Sequence, residues 1–369
     1  MPCLALFGAS ETVIGKGEND MPTLEEDTLV FRFPSIDKDV SFSIDFQRTL
    51  RIPDSDETYS LPPGLGSFPL RHVEDYTAKL PAATNERGGV ILPMWQAEAM
   101  WLNFSNEGPD DDLEFPVAIK IAAGKINAVT GEAWRPGLHR SPQDYMVSPD
   151  QPWLDGFAVE KGVIRQFVAM PLGTGYSVEE QLTGESEWGG IQISIVPLKA
   201  HIWKAKRAAW EKEREREGRY AMVECMSLPM SICNESMGLA AGGRMRQEIY
   251  PDTFDLNDWD IAAAQRVFVT LVHAKDWKKI TGDAAPNEPP TAKEYSDAGL
   301  PWFDYYGKDQ AALPGGERFA AIKSVAKLFT SLTGATLPNS QDIETGKPHA
   351  LGPGAKGPRA VRTAGSWDQ

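Results

Sequence analysis

Cysteine is scarce in this chain, and basic residues are outnumbered by acidic ones. The 369 residues include three cysteines, Cys3, Cys225 and Cys233. A small, odd number of cysteines in a long chain argues against a disulfide framework and for a reducing compartment. The apolar patch at the N-terminus has no basic region before it, so a secretory signal is not expected. The sequence therefore predicts a cytoplasmic protein.

Net charge and hydropathy argue against two classes of partner. Lys and Arg number 37 and Asp and Glu number 52, which gives a net charge of −15. Such a surface repels the phosphates of nucleic acids and of anionic membranes. No apolar run approaches the roughly 20 residues that a membrane-spanning helix needs. We therefore expect neither nucleic acid nor a membrane as a partner.

The usual signatures of metal, hydrolase and nucleotide sites are also missing. The sequence contains no His-Glu-x-x-His, Cys-x-x-Cys or Gly-x-Ser-x-Gly motif. The turn at Gly173-Thr-Gly175 lacks the third glycine of a dinucleotide-binding loop. The methionines and cysteines between Met222 and Met237 are typical of flexible core packing. The sequence thus predicts no metal and no cofactor.

Alternating apolar and polar residues indicate a protein built mainly of β-strands. Phe42, Ile44 and Phe46 alternate with polar residues, which is the pattern of a half-buried strand. The same reasoning predicts further strands over 89–93, 99–104, 116–122, 157–170, 177–183, 189–197 and 266–273. The fold class we expect is mainly β (α+β), a two-sheet β-sandwich or barrel with peripheral helices.

Changes in composition divide the chain into five parts. We expect an irregular N-terminal arm, a β-rich core, a charged helical insertion, a second part of the β core with a closing helix over 316–333, and a Gly/Pro-rich tail. Their predicted bounds are 1–23, 24–198, 199–218, 219–334 and 335–369. In the charged helix, Trp203 and Trp210 lie seven residues apart on one face, which predicts a narrow docking stripe.

Paired carboxylates are the strongest indication of an enzyme. If 177–183 is a strand, Glu179, Gln181 and Thr183 share one polar face. Such a face could bind sugar hydroxyls, and two carboxylates at a suitable separation could act as acid and base on a glycoside. The candidate catalytic residues are Asp155, Glu179 and Glu180, and the candidate ligand-binding residues are Trp153, Arg165, Gln181 and Trp188. The alternative is that Glu179 and Glu180 simply face solvent.

Several long motifs resemble those of a known group of sequences. They are Pro152-Trp-Leu-Asp-Gly156, Met170-Pro-Leu-Gly-x-Gly-Tyr-Ser-Val-Glu-x-Gln-x-Thr-Gly184, Gly242-Gly-Arg-Met-x-Gln-x-Ile-Tyr-Pro-Asp252 and Gly299-Leu-Pro-Trp-Phe303. Over about residues 48–306 the chain resembles an uncharacterised family, mostly bacterial with some fungal members, often labelled "integral membrane protein". The hydropathy of this chain does not agree with that label. The family has no established activity, so the resemblance implies no catalytic role for any residue.

Two classes of function follow from the sequence. The first is a non-catalytic protein that self-assembles into a homo-oligomer or binds a partner, which the missing catalytic signatures favour. The second is a glycan-active hydrolase or sugar-binding module that uses the polar face around Glu179. A concave pocket that joins two carboxylates, at least one of them with a perturbed pKa, favours the glycan-active enzyme. A flat or convex β surface favours assembly.

Overall fold

The computed structural model describes residues 21–110, 112–217, 236–305 and 312–351, which contain short strands and few helices. The strands are β1 (Thr23–Glu25), β2 (Thr28–Arg32), β3 (Ser41–Thr49), β4 (Thr58–Tyr59), β5 (Gly64–Ser67), β6 (Arg71–His72), β7 (Val90–Met94), β8 (Ala99–Glu107), β9 (Val117–Ala123), β10 (Ile126–Asn127), β11 (Met146–Ser148), β12 (Trp153–Leu154), β13 (Gly156–Glu160), β14 (Val163–Pro171), β15 (Ile191–Pro197), β16 (Ser236–Arg246), β17 (Gln265–His273), β18 (Phe303–Asp304) and β19 (His349–Ala350). The helices are α1 (Ala82–Arg87), α2 (Val178–Thr183), α3 (Ala200–Glu217), α4 (Trp277–Thr281), α5 (Ala292–Asp297) and α6 (Val325–Thr333). The expected mainly β fold with few helices is confirmed.

Seventeen of these strands form one continuous, mostly antiparallel sheet. Its longest ladder joins β3 to β8 over nine residue pairs. From β8 the hydrogen-bonded path runs through β14, β16, β17 and β15 to β9. The exceptions to antiparallel pairing are β4, which is parallel to β16, and β7, which is parallel to β17.

The sheet wraps around a single main core. Side chains of β3 and of β15, such as Ile44 and Ile193, belong to the same buried cluster although four strands separate them in the sheet. The Gln265 side chain at the start of β17 donates a hydrogen bond of 2.7 Å to the carbonyl of Arg32 at the end of β2. This contact brings together two strands that are far apart along the ladder, so the sheet is rolled rather than flat.

The charged helix predicted over 199–218 is present as α3. Trp203 is fully buried; its indole nitrogen donates to Asp37 at 2.9 Å and its ring meets Phe115 edge-on at 4.9 Å. Trp210 is partly buried against the same core. The docking stripe is therefore confirmed, and it fixes the first half of the helix to the core. Among the described residues, no helix is long and apolar enough to cross a membrane.

The closing helix predicted over 316–333 is interrupted. A 3₁₀ turn covers Glu317–Ala321, and α6 begins only at Val325. The Ser324 side chain caps α6 by accepting the backbone N–H of Lys327, and this cap separates the two pieces. Strand β16, which no alternation predicted, lies beside β14 and carries Met237 into the core. The stretch 222–233 lies outside the described residues.

Candidate functional site

The strand predicted over 177–183 is wrong, because this segment forms helix α2. Ser177 accepts the backbone N–H of Glu180, and the Glu180 carboxylate accepts the backbone N–H of Ser177 in return, which is a complete capping box. Gly184 ends the helix in the left-handed conformation. Val178 and Leu182 are therefore helical neighbours, and the polar sheet face expected around Glu179 does not form.

Glu179, Glu180 and Gln181 of α2 each have a local structural partner. The Glu179 carboxylate is buried and accepts the backbone N–H of Gly189 at 2.8 Å. Burial raises the pKa of Glu179, while the N–H of Gly189 acts in the opposite direction. Glu180 completes the capping box, and Gln181 exchanges hydrogen bonds with the backbone of Lys323. These contacts hold loops in place.

Asp155 and Trp153 form a second, separate group at β12 and β13. The Trp153 indole nitrogen donates to the Asp155 carboxylate at 2.6 Å, and burial raises the pKa of Asp155 to about 7. Arg165 lies on the neighbouring strand β14, opposite Phe157, but its side chain forms a buried ion pair with Asp54 and has no recorded contact with Asp155. The structure thus brings Trp153 next to Asp155. It also places Trp188 near Glu179, since the neighbouring Gly189 donates its N–H to the Glu179 carboxylate. It does not gather the predicted residues into one site.

A cavity of about 1120 Å³ opens at a seam in the rolled sheet. Met21, Pro22 and Leu24 of the β1 region line one wall, and residues 266–268 of β17 line the other. The rest is lined by residues of β2, β6, β7 and β15, of the segment 74–89 that includes α1, and of the loop before β15: Leu29, His72, Glu74, Asp75, Ala83, Glu86, Arg87, Gly89, Val90, Glu187, Trp188 and Gln192. We call this cavity the seam groove. Neither Asp155 nor Glu179 lines it, so it joins no pair of predicted catalytic carboxylates.

One wall of the seam groove is an unpaired strand edge. Val269 of β17 pairs with Ile191 of β15 and also with Val90 of β7, so these two strands lie on opposite sides of β17. Strand β7 begins at Val90, whereas β15 continues beside β17 as far as Gln265. Along 265–268, the β7 side of β17 therefore has no partner strand in the described part of the chain.

The direction of the peptide groups shows what this edge presents. A Cβ added to Gly89, next to β7, would come within 2.1 Å of the Phe268 carbonyl oxygen, so that carbonyl points to the β7 side. A Cβ added to Gly190, next to β15, would lie 2.5 Å from the Val269 carbonyl oxygen, so that one points to the β15 side. Because peptide direction alternates along a strand, Arg266 directs both its N–H and its C=O into the groove.

The cations at the rim are already held by other groups. The Arg87 guanidinium donates to the backbone carbonyls of Trp188 and Glu187 and lies over the rings of Trp188 and Phe268, at 5.0 and 5.3 Å. The Arg266 guanidinium donates to Gln192 at 3.2 Å. Both side chains are therefore fixed along the rim.

The carboxylates on the helical side of the groove are not neutralised. Glu74, Asp75 and Glu86 are exposed, and no salt bridge within the described residues reaches them. Glu187, the fourth carboxylate, pairs with Lys125. The helical side of the seam groove therefore has a net negative charge.

Comparisons with known proteins return no relative. No protein-family model matches the chain, and searches of the curated proteins and of the solved structures find no match. Across the described ranges, no group of three or more His, Cys, Asp and Glu side chains is placed to hold a metal ion. The family resemblance noted from the sequence stays a prediction.

Proposed function

We propose that this protein is a non-catalytic binding protein that takes an extended, basic segment of a partner protein into the seam groove by strand addition. The observation that carries the proposal is the unpaired edge of β17, where Arg266 directs its N–H and C=O into the groove. A peptide strand lying there would satisfy these groups and gain main-chain hydrogen bonds. The cytoplasmic location expected from the cysteine content is part of the proposal.

The groove has a second wall and a floor suited to an extended chain. Strand β1 pairs with β2 on one side and has no partner on its other side in the described ranges. Leu24 and Leu29, which are cross-strand partners, line the cavity together with Val267. In an extended peptide, alternate side chains point to opposite faces, so every second residue could contact this apolar floor.

Charge favours a basic partner. Glu74, Asp75 and Glu86 lie along the helical side of the groove without a cationic partner in the described chain, and the whole protein has a net charge of −15. Lysine or arginine side chains of a bound strand would meet these carboxylates. Electrostatic complementarity of this kind speeds association and excludes partners of the wrong charge.

The test compares two substitutions at one residue. Arg266→Pro removes the N–H that faces the groove, while Arg266→Ala removes the side chain and keeps the N–H. Because this N–H points away from β15, the proline costs no bond of the β15 ladder, and proline is tolerated at strand edges. The probes are seven-residue capped peptides of alternating Lys and Val, with alternating Glu and Val as the charge control, followed by fluorescence anisotropy of a labelled end.

We expect the Lys-Val peptide to bind the wild type and Arg266→Ala with similar affinity, and Arg266→Pro about tenfold or more weakly, which corresponds to about 1.4 kcal/mol. The Glu-Val peptide should not bind. Equal binding to the proline and alanine variants would contradict strand addition at this edge. Light scattering on the same samples distinguishes peptide binding from self-assembly. A molecular mass in solution that is lower for Arg266→Pro than for the wild type and Arg266→Ala would show that the edge pairs two copies of the chain.

A further inference from the structure

A second surface carries aromatic and amide side chains on the outward face of β3, β5 and β8. In β3, Asp45 and Gln47 alternate with the core residues Ile44 and Phe46, so they face away from the core. In β8, Trp101 lies opposite Gln47 and Asn103 lies opposite Asp45. These four residues form a square on one face of the sheet, which we call the Trp101 face.

The indole ring of Trp101 contacts Trp153 on one side, and on another side the neighbouring strand β5 has a glycine and so places no side chain against it. Its ring meets Trp153 edge-on at 6.5 Å, and Trp153 is itself anchored by its hydrogen bond to Asp155. Beside Trp101, β5 has glycine at 64 and at 66. A Cβ added to Gly64 would lie 4.0 Å from Trp101 Cζ2, and a Cβ added to Gly66 would meet nothing within 4 Å. A larger side chain at 64 would cover the ring.

Polar groups are arranged in order beside this ring. Asn103 Nδ2 donates to Asp45 Oδ2 at 2.8 Å, and Gln47 Nε2 donates to Ser67 Oγ at 2.8 Å and also to Asp45. Amides and carboxylates of this kind offer both donors and acceptors, which matches hydroxyl groups that do both. The set contains one carboxylate and no cation, so it disfavours an anionic ligand, while the hydroxyls of a neutral ligand can donate to the carboxylate.

We propose that the Trp101 face binds a neutral oligosaccharide, with a pyranose ring stacked on Trp101 and its hydroxyls bonded to Asp45, Gln47 and Asn103. Aromatic side chains combine a large apolar surface with a defined geometry, which suits the apolar face of a sugar ring. This site is separate from the seam groove, and the inference does not depend on strand addition there.

Isothermal titration calorimetry with the hexaoses of five neutral glycan classes tests the proposal: cello-, xylo-, malto-, laminari- and fully N-acetylated chito-oligosaccharides. We expect saturable binding of at least one of them with a Kd below about 1 mM. Trp101→Ala should weaken it about tenfold or more, and Asn103→Ala should weaken it measurably. The matched control is Trp210→Ala, which removes a partly buried tryptophan of α3 and should leave sugar binding unchanged.

A second variant tests the same point with Trp101 intact. Gly64 is exposed and has no left-handed φ, and an added Cβ meets ordinary van der Waals distances, so Gly64→Leu should fold normally and cover the ring. It should abolish binding, with circular dichroism confirming the fold. Absence of binding to all five hexaoses by the wild type overturns the proposal, and so does binding that persists in both Trp101→Ala and Gly64→Leu.

Discussion

Asp155→Asn should stabilise this protein at alkaline pH. The Asp155 carboxylate is buried, and the hydrogen-bond donor that reaches it in the described structure is the Trp153 indole, with no cation among its recorded partners. Burial raises the pKa of Asp155 from its ordinary 3.8 to about 7. This difference of about 3 pKa units corresponds to roughly 4 kcal/mol at 1.36 kcal/mol per unit. The structure therefore keeps a charged group in a place that favours the neutral acid.

The sign follows from proton linkage. Because the folded pKa lies above the unfolded one, the folded state binds more protons than the unfolded state between about pH 4 and pH 7. The contribution of Asp155 to the free energy of unfolding of the wild type should fall as pH rises through this window. Asparagine does not titrate, and its carbonyl oxygen can still accept from Trp153. The variant should match the wild type near pH 4 and exceed it by at most about 4 kcal/mol at pH 8.

Urea unfolding of the two proteins at pH 4, 6 and 8 measures this gap. A stability difference that stays constant over these pH values, or a variant less stable than the wild type at pH 8, refutes the reasoning. Glu98→Gln is the matched contrast. Burial raises the pKa of Glu98 to about 7 as well, but Glu98 holds the buried Arg48 at 2.6 Å. At pH 8, where Glu98 is ionised, removing its charge leaves the buried Arg48 without its carboxylate partner and should cost about 3–5 kcal/mol; near pH 4 the cost should be smaller, because Glu98 is then protonated.

Two further substitutions test the packing around the seam groove and helix α3. Gly89→Ala should lower the free energy of unfolding by more than about 1 kcal/mol, because Gly89 has a φ of +83° and the added methyl would collide with the Phe268 carbonyl; the urea midpoint measures it. Trp203→Ala should lower the free energy of unfolding by about 3–5 kcal/mol, because it leaves a cavity beside Phe115 and removes the indole donor of Asp37. Trp203→Phe should recover part of that loss, and thermal unfolding measures both variants.

The strands that the sequence predicted well are those whose apolar residues alternate with polar ones. In β3 the alternation separates core residues from half-buried ones, and in β15 Ile191, Ile193 and Ile195 alternate with Gln192 and Ser194 and enter the core. The charged helix α3 was equally clear because strong helix formers follow one another up to residue 217. In such segments the local pattern and the tertiary environment require the same residues.

The error at α2 has a local cause. Val178 and Leu182 are four residues apart, a spacing that fits both one face of a strand and one face of a helix. The deciding signal was Ser177 followed three residues later by Glu180, which is the sequence form of a capping box. It placed a helix start where alternation alone predicted a strand.

The seam groove could not be predicted from the sequence, because its open edge depends on where strands distant in sequence stop. Strand β7 starts at Val90 and β15 reaches further along β17, and neither limit is encoded near Arg266 itself. The signal of the groove that the sequence does carry is the pair Gly88 and Gly89. Both have a positive φ, which lets the chain pass close to Phe268 before β7 begins.

An unpaired strand edge is normally a hazard, because any other edge strand can pair with it. Here the edge of β17 lies inside a cavity, with Arg87 and Trp188 at its rim. A single extended chain can enter such a cavity more easily than a whole second sheet can. A second copy of this protein, with its net charge of −15, would also be repelled by Glu74 and Glu86. Shape and charge therefore both favour the binding of one basic strand over self-association. The Arg266→Pro variant distinguishes between these two possibilities.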